Sequence, residues 1–144
     1  MNSVYPIWWS DTVTIYNRYE NPTTNLVTWY RTVINNCFWQ NNFQLIKLGD
    51  VQLDSDNIIC RIPKNPDYVN RELWETQLST KFTLAQGDII VKGAVNDTIN
   101  EYTDGQRSTD LIEKYKKRGC MVIERFSDNT GFGRGIPHYH VLGV

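Results

Sequence analysis

Phe82-Thr83-Leu84-Ala85-Gln86-Gly87-Asp88-Ile89-Ile90-Val91-Lys92-Gly93 is the stretch whose reading decides the fold. Gly87-Asp88 reads as a turn, Ile89-Ile90-Val91 as a buried run and Gly93 as its stop. Three β-branched residues in a row are stiff at χ1 and suit a pleated surface better than a helix. A small β domain can be hung on this strand.

Upstream, residues 12–19 alternate, with Val13, Ile15 and Asn17 on one face and Thr12, Thr14, Tyr16 and Arg18 on the other. Turn residues follow over 20–25, and alternation resumes over 26–37, so the two runs are expected to pair as a long antiparallel hairpin. Between Cys37 and Ile62 the pattern predicts further short strands, 38–40, 43–47 and 57–62, broken by turns at Gly49-Asp50 and Asp54-Ser55-Asp56-Asn57. Pro63 and Pro66 end the last of them. Residues 68–77 read as a short helix or an irregular excursion.

Downstream, residues 96–107 are polar and read as a surface loop. Ser108 is the expected N-cap of one short helix, 108–118, with Asp110 in its first turn, Lys116, Lys117 and Arg118 in its last, and Gly119 just past its end. Asp110 with Lys114 and Glu113 with Lys117 add pairs four residues apart. Residues 121–126 and 138–142 read as strands on either side of a glycine-spaced loop. The expected fold is mainly β: a single domain, 1–144, built as a small barrel or sandwich with long loops, one short helix and an extended N-terminal arm, 1–10.

Net charge is -1 and the pI about 6.1, which excludes a globally basic nucleic-acid binder; the local patch Lys114 to Arg118 reads first as a solvated helix end, with DNA contact there as the second reading. The 3 cysteines, Cys37, Cys60 and Cys120, are far apart and without a Cys-x-x-Cys, so reduced, buried thiols are expected. No window reaches the ~20 apolar residues of a membrane span, and a soluble protein without a signal peptide is expected.

Few groups invite chemistry. His138 and His140 would share one face of a strand, which a metal site could use, but further ligands are missing from the pattern. Gly131, Gly133 and Gly135 are followed by Pro137 and a strand rather than by the helix that a phosphate cradle opens. The expectation is no catalytic residue, no metal, no cofactor and no enzyme. Tyr5, Ile7, Trp8 and Trp9 surround Pro6 and are expected to pack on another subunit or a neighbouring protein. Loop contacts are assigned to Asp54, Asp56, Asp104, Phe132 and Arg134.

Residues 12–20, 28–31 and 36–39, the strand 87–93 and the ending Gly135-Ile136-Pro137-His138-Tyr139-His140-Val141-Leu142-Gly143 resemble an uncharacterised family of small structural proteins of tailed bacteriophages, similar to head-closure, or stopper, proteins. The resemblance implies a virion protein at the head–tail junction, assembled in the host bacterial cytoplasm. It further implies a homo-oligomeric ring, a dodecamer or hexamer, docked between the portal or adaptor and the tail or tail-terminator proteins. Phage DNA in the channel would lie close by without specific contact, and no membrane is involved. Other classes stay open: a tail terminator, a capsid decoration protein, or a metal-dependent β-barrel enzyme using His138 and His140.

Overall fold

The short run Ile89–Lys92 does form a strand, and it closes a barrel. The computed structural model describes residues 9–48, 51–102, 105–131 and 136–144, with side chains left out over 42–48 and 51–56. Six strands run in chain order: β1 (Asp11–Glu20), β2 (Val27–Leu48), β3 (Val51–Pro63), β4 (Ile89–Lys92), β5 (Cys120–Asp128) and β6 (His138–Gly143). They close in the spatial order β1-β2-β3-β6-β5-β4, every neighbour antiparallel. Closure leaves no free edge around the wall, which is how small antiparallel sheets avoid edge pairing.

The hairpin of β1 and β2 holds as expected, from Glu20 opposite Val27 to Asp11 opposite Cys37. Its turn is organised by Asn21, whose side-chain oxygen accepts from the Thr23 and Thr24 N–H groups at 2.8 and 3.2 Å. The expected break after Cys37 is corrected: β2 is one strand of 22 residues that serves two partners. An irregularity opposite Thr12, with Asn36 at φ 61°, bends it. Below the bend it pairs with β1, above it with β3. Asp11 pins the corner by accepting the Trp39 N–H at 3.0 Å, and the Thr12 hydroxyl donates to Asn35 at 3.0 Å. Asn35 and Asn36, inside the run expected to alternate, therefore form a bulge.

The turn expected at Asp54-Ser55-Asp56-Asn57 is also corrected, because β3 runs unbroken through it with Asp54 opposite Leu45 and Asp56 opposite Phe43. β3 meets β6 only from Ile58 to Pro63. The hairpin thus continues past the barrel wall as a two-stranded ribbon.

Inside the barrel pack Val13, Ile15, Ile34, Cys37, Trp39, Cys60, Ile62, Ile90, Met121, Ile123, Tyr139 and Val141. The connection from β3 to β4 must cross the barrel, since those strands lie on opposite sides of it. It brings Phe82 and Leu84 into the same core and carries the short helix α1 (Arg71–Trp74). Asn70 caps α1 by accepting the Leu73 N–H at 2.9 Å.

The second helix, α2 (Ser108–Tyr115), differs from expectation at both ends. Its N-cap is Arg107, whose backbone N–H donates to Asp110 at 3.0 Å, while Ser108 is drawn into the first turn by donating its N–H and hydroxyl to Glu101 at 2.7 and 3.0 Å. It stops three residues short of Arg118, and Gly119, at φ 133°, donates its N–H to the Tyr115 carbonyl at 2.9 Å. Lys114 does not serve Asp110; it reaches Asp97 at 2.6 Å.

α2 lies over the outer face of the wall. Leu111 packs there with Tyr16, Ile89, Val91, Val95 and Cys120 in a second apolar cluster. This explains why residues 13–17 and 89–91 are buried on both faces instead of alternating. A run that is apolar throughout is the signature of a strand covered on two sides.

Candidate functional site

The structure distributes polar chemistry over three places: the Asp88 carboxylate and the thiols are buried, and the histidines lie on the outside of the wall. In the crossover, Asp88 is 1% exposed and its carboxylate accepts from the Asn17 amide at 2.9 Å and the Arg18 N–H at 2.9 Å, with Arg71 Nη1 at 3.7 Å. Asn17 also donates to the Thr83 carbonyl at 2.7 Å, and Arg71 donates to the Arg18 carbonyl. Burial pushes the Asp88 carboxyl above its ordinary range, against the pull of these donors. The cluster ties β1, α1 and the crossover together. Its carboxylate is closed to solvent, with Arg71 reaching it from the surface, so it is a latch within the fold rather than a place for a substrate. Sequence reading saw Gly87-Asp88 as a turn and missed the latch; the one local signal was Asn17 standing on the apolar face of β1.

The thiols are equally enclosed. Cys37, Cys60 and Cys120 are free and buried. Cys60 hydrogen-bonds Cys37, which together with burial raises its pKa, and burial pushes Cys120 up to about 12. Thiolate is the reactive form, so native protein at neutral pH is expected to resist iodoacetamide and to take it up at all three cysteines only after denaturation. Rapid alkylation of the folded chain, followed by mass spectrometry, would show this packing to be wrong.

On the outside of the wall, His138 and His140 do lie on one side of β6, with ring centroids 6.3 Å apart. His138 Nδ1 is engaged with the Ile136 carbonyl at 2.7 Å. Partial burial, then Arg61, His138 and Arg125, push the His140 imidazole toward its neutral form. Two guanidinium groups beside a would-be ligand oppose a metal cation. Among the described residues, no group of three His, Cys, Asp or Glu residues comes together that could hold a metal.

Trp9 is 5% exposed within its own chain, 6.3 Å from the Phe38 ring and edge-on to His138 at 5.7 Å, so its own barrel wall covers most of it. Tyr5, Ile7 and Trp8 lie outside the described residues, as do Asp104, Phe132 and Arg134.

Asp54 and Asp56 stand on the ribbon rather than on a loop. From Asn42 opposite Asn57 to Leu48 opposite Val51, β2 and β3 pair only with each other among the described strands. In register, Phe43 stands opposite Asp56, Leu45 opposite Asp54, Ile46 opposite Leu53 and Leu48 opposite Val51. At ~3.3 Å per residue the ribbon extends roughly 20 Å from the wall.

A family described as a family of unknown function (DUF6751) matches residues 8–144. No curated protein and no solved structure matches the chain.

Proposed function

The chain belongs to the DUF6751 family, a family of unknown function, and on the resemblance of its sequence motifs we propose that it is a structural virion protein of a tailed bacteriophage, a head–tail connector component that works by contact rather than by catalysis. In this reading copies form a ring that joins the portal or adaptor to the tail. The neck position is supported by the resemblance of residues 12–20, 29–39 and 87–93 to small phage structural proteins.

The observation that carries the contact role is the β2–β3 ribbon. A lone two-stranded ribbon is marginal in water, and its outer edges offer unpaired backbone groups. The pairs Ile46 opposite Leu53 and Leu48 opposite Val51 make the stretch nearest its tip apolar in sequence, which suits contact with another protein. A neighbouring subunit supplies that contact, and a rigid barrel supplies the base from which the ribbon reaches it.

Replacing residues 43–56 with an Asn-Gly turn between Asn42 and Asn57 is expected to leave a folded barrel whose melting temperature changes by only a few degrees. The shortened chain is expected to fail to enter particles, and an Ile46→Asp/Leu53→Asp variant to fail likewise. Normal incorporation of the shortened chain into tailed particles would remove the ribbon from the account.

A further inference from the structure

The outer face of β3, β6 and β5 gathers positive charge in a protein whose net charge is -1. In register, Arg61 stands opposite His140 and His140 opposite Ser127; in the next outward row Ile59 stands opposite Leu142 and Leu142 opposite Arg125. The intervening residues Cys60, Tyr139 and Val141 point into the core, so these rows face out. Arg125 and Ser127 are exposed, and Arg61 and His140 half-buried. Beside them Arg125, Phe126, Ser127, His140 and Leu142 line a shallow depression of about 340 Å³.

Among the described residues no carboxylate pairs with Arg61 or Arg125. Arg61 is held instead over the Phe38 ring, 5.2 Å from its centroid, which orients the guanidinium without neutralising it. Elsewhere Arg71 and Lys114 are taken up by Asp88 and Asp97. The outer face therefore presents two guanidinium groups without a carboxylate partner among the described residues, and an anion would supply one.

We propose that this face, centred on Arg61, Arg125 and His140, binds the sugar–phosphate backbone of a nucleic acid. A guanidinium fork matches phosphate oxygens in pairs, and the Ser127 hydroxyl and the His140 ring add donors of the kind that backbone contacts use. Arg61 and Arg125 stand on strands two intervals apart, roughly 10 Å, a spacing that suits a chain of phosphates better than one enclosed anion. The shallow, open shape fits the same ligand, since backbone binding needs no base pocket. The inference does not rest on the neck assignment and would hold for the protein in any location.

The test is fluorescence anisotropy of the purified full chain with a short labelled DNA duplex at low salt. Saturable binding is expected, weakening steeply as salt rises. Arg61→Gln/Arg125→Gln is expected to weaken it by about 10-fold or more, whereas Lys116→Gln/Lys117→Gln, which removes as much charge from the exposed end of α2, changes it by less than about 2-fold. Arg125→Gln alone, at an exposed position, is expected to show several-fold weakening and serves if the double variant is unstable. The His138 and His140 ring resonances are expected to shift on titration. No saturable binding, equal loss in the two double variants, or equal competition by polyglutamate would each overturn the proposal, the last in favour of an acidic protein partner.

Discussion

Asp88→Ala is expected to destabilise the protein by about 3–5 kcal/mol, the usual cost of removing one partner from a buried charged network. The substitution leaves the Asn17 amide with one acceptor fewer, strips the Arg18 N–H of its only side-chain partner and leaves Arg71 without its buried carboxylate. Those donors are held on different elements, so the loss is felt by β1, α1 and the crossover at once. Asp88→Asn keeps the shape and separates the charge from the packing. Because burial raises the folded pKa of Asp88 above the ordinary 3.8, the folded state holds this proton more tightly than the unfolded chain does. Its contribution is therefore fully present below 3.8 and is lost as pH rises through the folded value. Denaturant melts across that window should show wild type losing stability relative to Asp88→Asn as pH increases. A difference independent of pH would mean that Asp88 is not buried in this way.

Trp74→Ala is the second large effect, expected at about 3–5 kcal/mol. α1 is only four residues long and cannot hold itself together. What keeps it in place is the Trp74 ring, fully buried, edge-on to Tyr19 at 6.1 Å and to Tyr30 at 5.9 Å, with Arg71 stacked on it at 4.9 Å. Its indole N–H donates to the Lys81 carbonyl at 3.2 Å, fastening the far side of the excursion. Removing the ring frees Arg71 as well, so the effect should not add to that of Asp88→Ala. A double variant close to the worse single variant would show one shared latch, and full additivity two independent ones.

What could be read from the residues was local. Ile89-Ile90-Val91 announced a strand because three β-branched residues stand between turn signals, and the β1–β2 hairpin was legible because both halves alternate around a turn rich in asparagine. Gly119 marked a helix end for a stereochemical reason, its φ of 133°, which side chains rarely adopt. What could not be read was pairing between distant segments. Asn35-Asn36 looks the same whether it ends a strand or bulges within one, and only Asp11 and Thr12, far away in sequence, decide it. Asp54-Ser55-Asp56-Asn57 carries turn chemistry, yet β3 runs through it because its register with β2 decides the path, while Gly49-Asp50 lies outside the described residues. Ser108 has an ideal cap side chain, yet Glu101 takes its N–H and hydroxyl and the helix begins after Arg107.

The candidate surfaces divide the same way. His138 and His140 were visible as a pair from their spacing, but Arg61 and Arg125 join them only through strand pairing, which turns a possible metal site into a cationic face. Trp9 was legible as an apolar residue needing a cover and not as one covered by Phe38 and His138.

The central claim, a ring component at the junction of head and tail, is tested most directly by imaging the intact virion and fitting this barrel, with its ribbon, into the density. The account predicts a single ring of copies between portal and tail, each ribbon seated on a neighbouring subunit. Copies spread over the capsid shell or repeated along the tail tube would contradict it.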